Sequence, residues 1–163
     1  MVKEKEIWKA LEEVMDPEIP TISMVDLGIV TSVQTNPDEN SAAITLIPTF
    51  SGCPALRIME DMVREKVESL GVDQVKVSTN FDIPWTTERI TEKGRKALLQ
   101  HGLAPPPENH GGLIELNVLS DVACPYCGSR NTRLTTPFGP TLCRSMHYCD
   151  NCLQAFEQFK PVG

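Results

Sequence analysis

Four cysteines have the spacing to hold a metal ion. Cys124-Pro125-Tyr126-Cys127-Gly128 and Cys149-Asp150-Asn151-Cys152 are two C-x-x-C pairs with 21 residues between them. That pattern is expected of a four-thiolate zinc site. Each pair sits on a tight turn that aims two sulfurs at one point, and Gly128 is free to take the positive φ such a turn needs. Four thiolates fill a tetrahedral shell at about 2.3 Å and leave no open position for water or substrate, so the expected role of the ion is structural. Mononuclear iron also suits four thiolates, so zinc and iron both stay open. His147 stands two residues before Cys149 as a surplus candidate ligand, with a surface histidine on a strand as the favoured reading. Cys143 is a further thiol without an assigned part.

A separate constellation is Thr49-Phe50-Ser51-Gly52-Cys53-Pro54. Proline suits the first helical position, where its missing N–H was unpaired anyway. That places Cys53 at the N-cap, facing unpaired backbone N–H groups and the positive end of the helix dipole. Both favour the thiolate, the form that attacks electrophiles or binds metals. The competing reading is a small buried cysteine at a strand–helix corner, and the residues alone leave the two open. No histidine occurs in the first 100 residues, which argues against a Cys-His nucleophile pair. The carboxylates that could serve Cys53 are Asp16, Glu18 and Asp26. Taken alone, Asp16-Pro17-Glu18 after a helix and Asp26-Leu27-Gly28 before a strand read as caps and turns.

The elements that must position these residues follow from periodicity. Ile7, Trp8, Leu11, Val14 and Met15 recur at helical spacing and predict a helix over residues 3–15, stopped by Asp16-Pro17. Residues 28–34 and 42–49 are rich in β-branched side chains and are joined by Asn36-Pro37-Asp38-Glu39-Asn40, which predicts a hairpin. Residues 54–70 predict a second amphipathic helix closed by Gly71, and residues 72–79 a third strand. Thr91 caps a last short helix over 92–100. A helix that joins two strands is the usual connection of a parallel pair. The fold class is therefore α+β: a small mixed β-sheet with helices on one face, in the order αββαβ-α, plus a small C-terminal β zinc ribbon with short strands at 132–135 and 156–159.

Composition divides the chain in the same place. Cys53 is alone in the first two thirds, and the other five cysteines fall within 29 residues. Between them Ala104 to Gly112 holds three prolines and two glycines and reads as a linker. The expected organisation is a domain over 1–103, a linker over 104–112 and a ribbon over 113–163. Of the net charge of −7 over 163 residues, residues 1–107 carry −6 and residues 108–163 carry −1. This acidity argues against a phosphate-gripping protein, and the ribbon's four cations are too few for a nucleic-acid footprint. No apolar run approaches a membrane span. The start lacks the apolar stretch of a signal peptide, so a reducing cytoplasm is the expected compartment, where cysteines serve as ligands or reactive thiols. About 45 residues is too few for a convincing core, so the metal is expected to supply much of the ribbon's folding energy. Open strand edges in a three-stranded sheet leave a homodimer as an option.

Several segments together resemble one family. They are Asp16-Pro17-Glu18-Ile19-Pro20, Val25-Asp26-Leu27-Gly28-Ile29-Val30, Thr49-Phe50-Ser51-Gly52-Cys53-Pro54-Ala55, Pro84-Trp85-Thr86-Thr87-Glu88-Arg89-Ile90-Thr91 and Gly102-Leu103-Ala104-Pro105-Pro106. The first domain resembles the metal–sulfur cluster biosynthesis domain of SufT-like proteins. The whole chain, ribbon included, resembles the PaaD family of the phenylacetyl-CoA epoxidase system. Pro140 and Gln154-Ala155 depart from that family's Ser and Glu-Pro. The resemblance implies an accessory or maturation factor more than an enzyme. It implies help with inserting iron or an iron–sulfur cluster into a multicomponent oxygenase, with the oxygenase or reductase components as partners. It makes Cys53 the reactive thiol, with Asp16, Glu18 and Asp26 as the acidic residues beside it, and adds transient iron or a cluster to the structural zinc of Cys124, Cys127, Cys149 and Cys152. The alternative is an integral subunit or electron carrier of the oxygenase.

Overall fold

A computed structural model describes residues 2–107 and 120–161, which form two compact units. The first comprises residues 1–85 and 89–94 and the second residues 86–88 and 95–163.

In the first unit, α1 covers Glu4–Leu11 and buries Ile7, Ala10 and Leu11. It ends sooner than the apolar spacing predicts. Val14 and Met15, read as its last turn, are drawn into pairing with the segment that follows. The Met24 N–H donates to the Val14 carbonyl at 2.9 Å, the Asp16 N–H donates to Ile22 at 2.8 Å, and Met15 forms an antiparallel bridge with Ser23. Strand β1, Val30–Asn36, and β2, Ser41–Leu46, make the expected hairpin, with Asn36 opposite Ser41 and a bulge between Val30 and Ser32. Helix α2, Leu56–Glu68, then returns the chain to β3, Gln74–Thr79, which pairs parallel with β2. The sheet order is β1-β2-β3. Ala42, Ile44 and Leu46 alternate inward along β2, and Met59, Val63 and Val67 are the buried residues of α2. The α+β class with a mixed sheet is thus the architecture found.

One glycine decides how the β1 entrance is closed. Gly28 has φ +74°, and a Cβ there would lie 2.4 Å from the Arg89 Cβ. Trp85 is buried and donates its indole N–H to the Leu27 carbonyl at 2.9 Å, filling the core beside that turn.

Helix α3, Glu92–Gln100, matches its predicted bounds, and the Gly94 N–H donates to the Thr91 hydroxyl at 3.0 Å as a cap. In the second unit a four-stranded sheet runs β4-β7-β6-β5, from Leu103–Ala104, Gln154–Phe159, Arg144–Cys149 and Thr132–Thr136. Strands β5 and β7 fall where the sequence predicts them. Two strands have no range in the sequence reading, although it places His147 on a strand. β4 is only two residues long, and it pairs parallel with β7, so Ala104 of the expected linker is a buried strand residue. β6 buries the polar residues Arg144, Ser145 and His147, which hides it from a reading of apolar residues. The expected linker residues 108–112 and the ribbon residues 113–119 lie outside the described residues. No described helix is long and apolar enough to cross a membrane.

Candidate metal centre and cysteine loop

The Sγ atoms of Cys124, Cys127, Cys149 and Cys152 lie within 4.8 Å of one another. Cys124 and Cys152 are 3.7 Å apart and Cys127 and Cys149 3.6 Å. A tetrahedron of sulfurs about 2.3 Å from a central ion has edges of about 3.8 Å, so the four positions fit a tetrahedral thiolate site. Local folding produces them. In the first knuckle the Gly128 N–H donates to the Cys124 carbonyl at 2.8 Å, with Gly128 at φ +74° as the sequence requires. In the second, Cys149 ends β6, Gln154 begins β7, and the Leu153 N–H donates to the Cys149 carbonyl at 2.9 Å. Here the left-handed position is Leu153, φ +58°, where the sequence carries no glycine as a signal.

The thiols are electrostatically uneven. The Ser129 backbone amide pulls the Cys127 thiol down to about 6, helped by Asn151, whose Nδ2 lies 3.6 Å from its sulfur. Desolvation and the crowding of the other sulfurs push Cys152 up to about 12. Four thiols this close cannot all ionise alone, and a bound dication is what allows the protons to leave together.

His147 is not among the ligands. It is fully buried rather than on the surface, its Nε2 is 2.9 Å from the Ser145 hydroxyl, and its ring stacks on Phe156 at 5.3 Å. Burial lowers its pKa against a smaller opposing contribution from Gln158, so the ring is a neutral core group. Cys143 is half-buried, with its sulfur 3.0 Å from the Thr141 hydroxyl.

Cys53 lies elsewhere, in the loop between β2 and α2, and is half-buried. It is not the N-cap that the sequence predicts. Ala55 caps α2, and Cys53 precedes it in a turn where the Leu56 N–H donates to the Cys53 carbonyl at 3.4 Å. The proline opens that turn rather than the helix. The loop leaves the sheet where β2 and β3 end together and β1 begins, since the Ile47 N–H donates to Ile29 at 2.8 Å and Leu46 faces Thr79.

The three predicted carboxylates sit in the connection from α1 to β1. Asp16 Oδ1 accepts from the N–H groups of Glu18 at 2.8 Å and Ile19 at 2.9 Å, shaping its turn, and Glu18 is half-buried. Asp26 accepts from the Ser23 hydroxyl at 2.8 Å and the Thr91 hydroxyl at 2.7 Å, with Lys93 at 3.3 Å. Desolvation raises its pKa, but these three donors outweigh that and hold the carboxyl below its usual range. Among the described residues, the four ribbon cysteines form the one group of three or more side chains gathered as metal ligands; Cys53 and the carboxylates do not.

Residues 114–160 match the family model for the PaaD zinc beta ribbon domain. The chain is 37% identical over 157 residues to an Escherichia coli protein that is named, provisionally, as the D component of 1,2-phenylacetyl-CoA epoxidase, covering 96% of this chain and 92% of that one. The chain belongs to the PaaD family. Residues 4–79 of this PaaD-family chain also match the model for iron-sulfur cluster assembly proteins. It is 35% identical over 100 residues to an Fe-S protein maturation auxiliary factor of Porphyromonas gingivalis, covering 61% of this chain and 90% of that one. Among solved structures it resembles a domain of unknown function from Bacillus anthracis, with 30% identity, a TM-score of 0.54, and coverage of 58% of this chain and 90% of that one. A conserved hypothetical protein from Thermotoga maritima gives 30% identity and a TM-score of 0.51, covering 58% of this chain and 92% of that one. The ribbon of the PaaD-family chain, with its four gathered sulfurs, is a zinc ribbon.

Proposed function

We propose that this chain is an accessory maturation factor for a multicomponent phenylacetyl-CoA oxygenase, and that it assists the insertion of an iron–sulfur or iron centre. The observation that carries this reading is the union, in one chain, of a region matching iron-sulfur cluster assembly proteins with a PaaD ribbon. The relative named as an epoxidase component supplies the system, and the one named as a maturation factor supplies the task.

In this reading the iron or cluster is cargo. Cys53 is the transfer thiol, a soft ligand in the loop that follows the central strand β2. It gives up its proton on taking the cargo. On delivery a client thiolate replaces its sulfur on the iron, and no electron changes hands. Asp16, Glu18 and Asp26 serve as proton acceptors or hard oxygen ligands, while Asp16 and Asp26 also brace their turns. The zinc in the ribbon holds the knuckles in shape. The partners are the oxygenase and reductase components.

The test is to express the reductase component alone, with this chain, and with its Cys53→Ala variant. Cluster content should rise with the wild-type chain and fall back with the variant. Equal content in all three preparations overturns the reading.

A second reading is favoured by the relative's name as part of the epoxidase itself: an integral component or electron carrier of the oxygenase. It requires redox-active iron on the four sulfurs. A colourless protein containing one zinc excludes the carrier.

A further inference from the structure

The loop joining β5 to β6 displays two large apolar side chains to solvent. Phe138 is 64% exposed and Leu142 61%. The backbone that carries them is pinned at several points. The Thr136 hydroxyl is 3.2 Å from both the N–H and the carbonyl of Phe138, and the Gly139 N–H donates to the Arg144 carbonyl at 2.8 Å. A Cβ at Gly139 would press on Arg144 at 3.2 Å, so the loop is closely fitted to the strand it precedes. Pro137 and Pro140 fix two further φ angles. A loop held this way loses little freedom when its side chains are buried by a partner.

The charges beside the loop indicate the partner's character. Arg130 pairs with Asp121 at 2.8 Å, Arg133 with Asp150 at 3.2 Å and Arg144 with Glu157 at 2.8 Å. Lys160, the ribbon's fourth cation, has no carboxylate partner among the described residues. Its Nζ lies 5.0 Å over the Phe138 ring and donates to the Pro137 carbonyl at 3.2 Å. An uncompensated ammonium is thus set against an exposed aromatic ring.

We propose that Phe138, Leu142 and Lys160 form a docking surface for a protein partner whose contact face is an apolar recess bordered by carboxylates. This deepens the function proposed above, because the partner it names is a component of the oxygenase system. The two apolar side chains enter the recess, and Lys160 meets the carboxylate at its border. Aromatic side chains are enriched at interfaces, and those seated in desolvated pockets carry most of the binding energy. One unpaired cation is too little for a nucleic-acid strand.

The experiment titrates the zinc-loaded full chain into the purified oxygenase and the purified reductase components by calorimetry. Three variants accompany the wild type: Phe138→Ala with Leu142→Ala, Lys160→Glu, and Lys160→Arg. Zinc content checks that each ribbon is folded. The double variant should weaken binding at least about tenfold. Lys160→Glu should weaken it as well and remove most of its salt dependence, and Lys160→Arg should bind as wild type does. Wild-type affinity in the zinc-loaded double variant overturns the proposal. So does binding of the wild type to neither component, and so does loop-dependent self-association or vesicle binding in its place. Reductase cluster content, measured after co-expression with each variant, separates this inference from the maturation reading. If the wild type raises cluster content and the double variant binds normally, only the docking surface fails. If the double variant loses binding and the wild type never raises cluster content, only the maturation reading fails.

Discussion

The first unit fully buries Ile22, Met24, Ile44, Leu46 and Ile47, whereas the second buries Leu98, Leu103 and Phe159 and has a small cluster of Ala104, Val122 and Phe156 with two of its metal-binding sulfurs, Cys124 and Cys149. Each fully buried aliphatic side chain contributes about 1.5–3 kcal/mol, and the first unit has many of them. The second has few, and a four-thiolate metal is worth about 10–16 kcal/mol in small zinc-folded units. One chain therefore contains two stabilisation strategies, and the cysteines divide accordingly. Four are structural in the ribbon. Cys53 lies in the first unit, outside that cluster.

The sharpest break in that comparison is metal removal. Chelation of the zinc, or Cys149→Ala, should unfold the ribbon at a cost of about 10 kcal/mol while the first unit keeps its structure. Amide spectra should lose dispersion for residues 120–161 alone; loss across both units would mean that they fold as one. The converse variant is Leu46→Ala, at a fully buried position, with an expected cost of about 3 kcal/mol by urea unfolding. Its zinc content should equal that of the wild type. Gly28→Ala should cost the first unit about 2 kcal/mol, because the residue has positive φ and its Cβ would meet Arg89.

Acid tests a smaller contribution. The Asp26 carboxyl has its folded pKa held below the unfolded value of about 3.9. Its stabilising share is therefore complete above that value and is lost as pH falls through the folded value. The stability difference between wild type and Asp26→Asn, about 1 kcal/mol by urea unfolding, should be constant from about pH 8 to 5 and shrink below about pH 4. The smallest structural effect belongs to Cys53→Ala. It should change stability by less than about 1 kcal/mol and leave zinc content unchanged, while cluster delivery is lost. A large loss of stability there would mean that Cys53 is a packing residue.

Local signals carried much of this protein into view. The hairpin, the bounds of α3 and the cap at Thr91 were legible because they depend on residues a few positions apart. The four ligands were legible because a metal requires paired thiols on tight turns, and the family was legible because several motifs occur together. The N-cap at Cys53 was misplaced because proline opens a turn as well as it opens a helix. The extent of β6 was not legible because three of its buried side chains, Arg144, Ser145 and His147, are polar.

What the sequence determined by itself was therefore the chemistry held in short spacings: thiolate pairs, turns, caps and the amphipathic faces of two helices. Tertiary structure alone decided where α1 stops, since the pairing of Val14 with Met24 draws the last apolar residues out of the helix. It alone brought Asp26 to Thr91 and gave Ala104 a strand partner in β7. The physical reason is common to all three. A backbone or carboxylate group near the core must find a hydrogen-bond partner, and when that partner is distant in the chain, no local pattern records which one it will be.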